Sequence, residues 1–341
     1  MTVVVRAVAA LAADIARRSS KIGDAVTVDQ DRVLDRSDVL TLEKPGIWSP
    51  NRSCRLVRTA DGWIAVNLAR ESDRELLPAW IGCGIDAEPW RAVVGAARGG
   101  ASRALVARAR LLGLPAARIG EVRAADFEPR LRRMGAGPDR RRAGPLAVID
   151  LSSLWAGPLC GAVLARAGMA VTKVESPQRP DPTRRSTPAL FERLNADKQD
   201  RVLDFADPAD IAALRAMIAM ADVLITSARP RAFEQLGLAP ESVFADNPGL
   251  VWVAVTGYGW FGRSADRVAF GDDAAAAGGL LRWTARGEPR FVGDALADPL
   301  TGLAAAAGAI RAVRRGGGIL VDAALSRTAA GAVAQFSGVG A

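Results

Sequence analysis

The sequence predicts an α/β fold: a mostly parallel sheet flanked by helices, with a smaller α+β unit formed by the N-terminal third. Three observations carry this expectation. From residue 146 onward, short apolar runs alternate with stretches of helical spacing. Those runs are continuous rather than alternating, as suits strands covered on both faces. The first third is punctuated differently, with a Pro- and Gly-rich loop and an Asp-Gly hairpin signal at Ala60-Asp61-Gly62.

The elements follow in order. Residues 1–20, "MTVVVRAVAALAADIARRSS", read as an amphipathic helix rather than a leader, because Arg6 and Asp14 interrupt the apolar stretch. Residues 21–50 are polar and run into the loop "KPGIWSPNRS". "CRLVRTADGWIAVNLA" reads as a hairpin, and "DRELLPAWIG" and "ASRALVARARLLGL" have helical spacing. Residues 126–145, rich in Arg, Gly and Pro, read as a linker or mobile arm. The chain therefore divides into a small-domain-like segment at 1–125, a linker at 126–145 and a large α/β domain at 146–341. Within the last, "LAVIDLS", "AVTKVES", "RVLDF", "DVLITSA", "LVWVAVTGYG" and "GILVDAAL" are strands. The helices between them are "GPLCGAVLARAG", "PADIAALRAMIAMA", "PRAFEQLGL" and "LTGLAAAAGAIRAVRR".

Composition narrows the function. The chain has 341 residues, half of them hydrophobic, which is ample for a packed core. Net charge is +8, and the excess is arginine, since only Lys21, Lys44, Lys173 and Lys198 are lysines. A basic balance suits nucleic acid or a polyanionic small ligand. No zinc-finger, RRM or zipper pattern accompanies it, which argues against nucleic acid. There is no histidine, and Cys54, Cys83 and Cys160 lack metal spacing, so no metal site is expected. Unpatterned cysteines fit a reducing cytoplasm. No run of about 18 uncharged apolar residues predicts a membrane span.

In an open parallel sheet, ligands sit at the carboxyl ends of the strands. Those ends are residues 152–158, 175–181, 226–230 and 256–262. Ala156-Gly157-Pro158 opens a helix directly after a strand, and Arg184, Arg185 and Arg229 lie near other strand ends. No GxGxxG or GxxxxGK[ST] pattern follows a strand. A nucleotide-like ligand and ordinary loop chemistry fit these residues equally. A second candidate is "AFGDDAAAAGG", where Asp272 and Asp273 precede four alanines. The pair reads as carboxylates for catalysis or as a helix cap.

These segments together resemble the class III CoA-transferase (CaiB/BaiF) family. "AVIDLSSLWAGPLCGAVLARAGMAVTKVESP" is similar to its opening strand, AGP turn, helix and second strand. "DPTRRS", "FERLNADKQDRVLDFADP", "ADVLITSARPRAFEQLGL", "NPGLVWVAVTGYGWFG" and "ADPLTGLAAAAGAIRAVRRGGGILVDAAL" are similar to five further segments in the same order. "SPNRSCRLVRTADGWIAVN" and "LVARARLLGLPAARIGEV" resemble small-domain segments that follow the large domain in the family; here they precede it. The resemblance implies a Rossmann-like large domain in a permuted order. It also implies a homodimer, which is interlocked in the family but need not keep that threading in a permuted chain, and acyl-CoA as substrate rather than a permanently bound cofactor.

The resemblance further implies transfer of CoA between acyl groups through an aspartyl intermediate. The usual transferase aspartate falls on Arg286, with Glu288 nearby. A racemase-type aspartate falls near "AFGDDAAAAGG", where Asp273 matches the G-x-D spacing and Asp272 is its neighbour. One of the two is expected to cap the helix. The other is expected to face the cleft as an anion suited to nucleophilic attack. CoA-binding positions carried over by the resemblance are Leu154, Trp155, Ala156, Gly157, Arg184, Ser227, Arg229 and Tyr258. Arg286 and the missing histidine leave two alternatives: a catalytically impaired acyl-CoA-binding or partner subunit, and a 2-methylacyl-CoA racemase-like isomerase.

Overall fold

The computed structural model describes residues 2–137 and 144–337. The N-terminal third holds α1 (Thr2–Ser19), α2 (Gln30–Leu34), β1 (Cys54–Thr59), β2 (Gly62–Asn67), α3 (Glu71–Glu75), α4 (Leu77–Ile81), α5 (Pro89–Gly99), α6 (Ser102–Leu111) and β3 (Ala116–Arg118). After β4 (Arg130–Arg133) come β5 (Ala147–Leu151), α7 (Ala156–Arg166), β6 (Ala170–Glu175), α8 (Thr183–Ser186), α9 (Pro188–Asn195) and β7 (Gln199–Val202). Next are α10 (Pro208–Ala219), β8 (Val223–Thr226), α11 (Pro230–Gln235), α12 (Pro240–Asp246) and β9 (Val251–Thr256). The chain continues through α13 (Gly271–Ala277), β10 (Arg282–Trp283), β11 (Pro289–Arg290), α14 (Ala297–Arg314), β12 (Ile319–Ala324) and α15 (Leu325–Phe336).

The main sheet has the order β4-β12-β9-β8-β5-β6-β7. All its pairings are parallel except β4 on β12. Set β4 aside, and the order runs outward from β5 in both directions, as in a doubly wound Rossmann-like sheet. The crevice where the winding reverses lies beyond the carboxyl ends of β5 and β8. Alternate residues of each strand enter opposite layers. Val148, Val223, Val251 and Val253 join the core formed with α1, α7 and α14. Ile149, Leu224, Trp252 and Leu320 join the core that holds Leu214, Ile218, Phe233 and Phe244 from α10 to α12.

The small sheet β1-β2-β3 is antiparallel. Its Val57, Ile64 and Val66 pack with Trp80, Val93 and Val106 of its own helices. On the opposite face, Cys54, Leu56 and Ala65 pack against Ala276 of α13 and Phe291. The period-two alternation of the hairpin thus glues the small sheet to the element that carries Asp272 and Asp273.

Two expectations change. The 126–145 linker contains β4, which extends the main sheet by pairing with β12. Close approach makes this possible: a Cβ on Gly331 would lie 1.9 Å from the Asp126 carbonyl oxygen, and one on Gly308 would lie 2.6 Å from Pro129. The Arg140–Arg142 end of that basic run falls outside the described residues. The 21–50 loop contains α2, capped by the Asp29 side chain accepting from the Arg32 N–H at 3.1 Å. In addition, α1 lies in the main core through Val4, Val8, Leu11 and Ile15.

Candidate functional site

The β5–α7 turn stands at the crevice. Leu154 adopts φ 71°, in the left-handed region that a branched side chain rarely enters. Its N–H donates to Asp181 at 3.2 Å, and the Ser153 N–H donates to Ser227 Oγ at 3.0 Å. Behind the turn lie two fully buried lysines. Lys173 Nζ donates to the Ser152 carbonyl at 2.8 Å and to Asp181 at 3.3 Å. Lys198 Nζ donates to Asp150 at 2.8 Å, to the Pro158 carbonyl at 2.9 Å and to Asn195 at 2.9 Å. Burial pushes the Asp150 carboxyl up, but Lys198 and Lys173 outweigh it and hold the carboxyl below its ordinary value. Buried charge here is paired on every side and fixes the backbone of the turn.

The arginines at the crevice divide into two kinds. Arg184 is engaged: it donates to Glu175 at 2.9 Å and Asp200 at 3.0 Å, and its guanidinium lies 4.0 Å over the Phe191 ring. The Arg229 guanidinium has no partner among the described residues. Burial lowers its pKa, and so do Arg231, Arg70 and Arg179, with only Asp266 opposing. A cluster of like charges at a strand end is an anion site in electrostatic terms. Arg70 also lies 5.5 Å over the ring of Phe270, the residue that opens α13.

Asp272 and Asp273 are 2 % and 0 % exposed. Asp272 accepts from the Ala295 N–H at 2.8 Å and from Asn51 Nδ2 at 2.9 Å. Asn51 Nδ2 also donates to Asp294 at 2.6 Å. The Asn51 orientation is forced, because its Oδ1 accepts from Ser49 Oγ, the Ser53 N–H and Ser53 Oγ at 2.9, 2.9 and 2.6 Å. Asp294 is neutralised by Arg36, whose Nε donates to it at 2.8 Å. The same guanidinium lies 4.2 Å over the Trp155 ring. A continuous polar chain therefore runs from Trp155, beside the β5–α7 turn, through Arg36, Asp294 and Asn51 to Asp272.

Asp273 is the helix cap: its Oδ1 accepts from the Phe270 N–H at 2.9 Å and from Asn67 Nδ2 at 3.2 Å. Its Oδ2 is buried with no partner among the described residues. Burial pushes its pKa up to about 8, against the Phe270 N–H and with help from Asp272. Burial and the Asp294 charge push Asp272 up to about 6, and burial pushes Asp298 up to about 7. The expectation of an anion stabilised at a helix start is thereby corrected. The helix is only seven residues long, and loss of water outweighs its few N–H groups.

The remaining expected positions are placed as follows. Ala156 and Gly157 are buried at the start of α7, where a Cβ on Gly157 would lie 2.2 Å from Ser152 Cβ. Trp155 is buried beneath Arg36. The Tyr258 hydroxyl is taken up, donating to Glu121 at 3.3 Å and accepting from Arg267 at 2.9 Å. Burial raises its pKa well above the ordinary value, with Asp273 among the lesser causes. Arg286 is exposed on the β10–β11 hairpin, and Glu288 there pairs with Arg290 at 2.6 Å. Leu154 and Ser227 thus meet at one turn, while Asp272, Asp273 and Tyr258 gather beneath the small sheet. Sequence reasoning missed Arg36, Asn51, Asn67, Arg70 and Asp294. Asn67 alone left a signal, as a polar residue closing the apolar run "GWIAV".

The fold and these residues define a doubly wound α/β protein with a basic crevice and a buried carboxyl pair on the helix beside it. The model of CoA-transferase family III matches residues 145–338, more than half of the chain, and the chain belongs to that family. It is 32% identical over 188 residues to succinyl-CoA–D-citramalate CoA-transferase of Chloroflexus aurantiacus, a match covering 51% of this chain and 47% of that protein. It is 32% identical over 199 residues to succinate–glutarate CoA-transferase of Agrobacterium fabrum, covering 53% and 50%. The crystal structure of a CAIB/BAIF family protein from Brucella suis aligns with TM-score 0.52 at 32% identity, over 56% of this chain and 55% of that one. The chain spans about half the length of the curated relatives it matches.

Proposed function

We propose that this protein transfers CoA between acyl groups, with Asp273 Oδ2 as the acyl acceptor. One observation carries the assignment: of the four oxygens in the aspartate pair, only this one accepts no hydrogen bond. The Asp273 carboxylate attacks the thioester carbonyl carbon, the C–S bond breaks and CoA leaves as thiolate. The thiolate then attacks the aspartyl carbonyl of the mixed anhydride, releasing the donor carboxylate and leaving an aspartyl-CoA thioester. An incoming carboxylate reverses the sequence. The Arg229, Arg231, Arg70 and Arg179 cluster suits the CoA phosphates, and Arg70 links that cluster to Phe270 at the head of α13. A desolvated carboxylate of raised pKa is a stronger nucleophile than a solvated one, once it has lost its proton.

The test is to incubate the protein with a panel of acyl-CoA thioesters, trap with hydroxylamine or borohydride, and map the adduct by mass spectrometry. The expected adduct is on Asp273, with a trapping rate that rises with pH through about 8. An adduct on Asp272 would move the role by one residue, and turnover without any aspartyl adduct would end the covalent reading.

A second reading has its own support. Both carboxyls are sealed, and the exposed Arg286 stands where the family resemblance would put the transferase aspartate, which suits a CoA-binding partner subunit. Relatives include proteins named as alpha and beta subunits of succinyl-CoA–L-malate CoA-transferase of Chloroflexus aurantiacus. CoA binding without turnover, unchanged by Asp273→Asn, would favour it. A racemase-like isomerase would instead incorporate deuterium from heavy water into 2-methylacyl-CoA. We also infer that the β1–β3 sheet with α3 to α6, and not α1, acts as the small domain in permuted order, in a protein of the reducing cytoplasm. The small sheet's docking on α13 and the free cysteines Cys54, Cys83 and Cys160 support this.

A further inference from the structure

A groove on the N-terminal third, away from the carboxyl pair, collects cations that nothing neutralises. It has a volume of about 460 Å³ and is lined by Arg55 of β1 and by Glu88, Trp90, Arg91, Val94 and Arg98 at and along α5. That volume is in the range of small-ligand sites. Arg55, Arg91 and Arg98 form no ion pair among the described residues. The one acid in the wall, Glu88, is already occupied, accepting from the Trp90 and Arg91 N–H groups at 3.1 and 2.6 Å as the cap of α5. The neighbouring Arg52 has its own partner, Glu43, at 3.2 Å.

Arg55 is the centre of the groove. Its Nε is buried and makes no hydrogen bond. The guanidinium lies 4.7 Å over the Trp48 ring, and Trp48 meets Trp90 edge-on at 4.8 Å. The Trp48 indole covers one face of the guanidinium, and Trp90 buttresses that indole. Burial lowers the Arg55 pKa even with the Glu88 charge nearby. A guanidinium cannot escape this cost by losing its proton at neutral pH, so an anion against the buried Nε edge would be favoured. A fixed fork of donors flanked by two more arginines matches adjacent phosphates better than a single carboxylate.

We propose that this groove binds the pyrophosphate group of a small molecule, free or carried by a nucleotide or CoA. Arg55, whose Nε is buried, is the central donor, and Arg91 and Arg98 reach in from the exposed face of α5. The site is independent of the aspartate chemistry proposed above.

The experiment is calorimetric titration of the full chain with inorganic pyrophosphate, in the Arg229→Gln background so that the crevice arginines do not compete. Parallel titrations use ADP, CoA and succinate. One saturable pyrophosphate site is expected, weakening with added salt and absent for succinate. Tighter binding of ADP or of CoA than of pyrophosphate tells which carrier the groove takes. Arg91→Ala with Arg98→Ala changes only exposed side chains, so the fold is kept. It should weaken pyrophosphate binding by on the order of tenfold or more per arginine. Arg55→Gln should abolish binding. No saturable pyrophosphate binding, binding that succinate matches, or binding unchanged in the Arg91→Ala/Arg98→Ala protein would overturn the proposal.

Discussion

At Asp273 the two carboxylate oxygens have different lives: Oδ1 holds the start of α13, and Oδ2 meets nothing among the described residues. Asparagine keeps the cap through its own Oδ1 and mimics the protonated acid. The two side chains therefore differ mainly in ionisation. The folded-state pKa of Asp273 is about 8 against an ordinary value of 3.8, so between those values the folded protein binds a proton that the unfolded chain has released. Stability from this group is full below pH 4 and is lost as pH rises towards 8. Relative to Asp273→Asn, the wild type should lose on the order of 1 kcal/mol per pH unit across that window and stay level above it. Urea denaturation of both proteins at pH 5, 6, 7, 8 and 9 measures this. A constant difference would mean that the carboxyl is ionised in the fold throughout. The same substitution should lower any transferase rate by on the order of 10³-fold above pH 8, and by less at lower pH where the wild-type carboxyl is protonated.

Among the elements, close helix contacts rest on missing side chains more than on apolar area. On α15, alanine at Gly331 would gain about 1 kcal/mol of helix propensity in isolation. Its Cβ would, however, meet the Asp126 carbonyl at 1.9 Å and the Phe127 nitrogen at 2.4 Å, both backbone atoms that cannot rotate away. Overpacking of this kind costs about 1–3 kcal/mol, so strain outweighs propensity. Gly331→Ala should lower the urea midpoint and speed amide exchange in Arg130–Arg133, whose strand is led in by that segment. A gain in stability would show that residues 126–129 lift off freely. The parallel strands were legible in the sequence because a strand buried on both faces needs an unbroken apolar run such as "VWVAV". By contrast, β4 was not legible: "RLRR" lies on a sheet edge, and its conformation comes from β12, nearly 190 residues on. The aspartate pair was legible as a local pattern, but its environment was not. Asn67 reaches Asp273 across 206 positions, and Asn51 reaches Asp272 across 221. Burial supplied by so distant a segment turned an expected anion into a proton carrier.

Across the whole molecule, the decisive feature is that the N-terminal third closes over the carboxyl pair of its own chain. Leu56 and Ala65 cover Ala276, Asn67 holds Asp273, and Asn51 with Arg36 ties Asp272 and Asp294 to the same segment. With Asp273 fully buried, a thioester reaches Oδ2 only if the small sheet separates from α13. The seam has no sheet pairing, but it holds an apolar patch, backbone hydrogen bonds from Gly120 to Ala276 and from Val122 to Ala277, and the Arg36–Asp294 and Arg267–Glu121 ion pairs, so opening it is a rare local event. Such openings draw on the less stable parts of a fold. Arg70, paired with Asp73, belongs to the small-sheet side of the seam and Arg229 to the large-domain side, so a polyanion bridging them would shift the balance between closed and open arrangements. Acyl-CoA should therefore speed hydrogen exchange at Gly62–Asn67 and Gly271–Ala277 while leaving the buried α14 protected. Arg70→Gln should suppress that response and slow adduct formation while leaving its midpoint near pH 8, because burial is the largest cause of the raised Asp273 pKa. Adduct formation with exchange unchanged at both segments would show that the thioester enters without the seam opening.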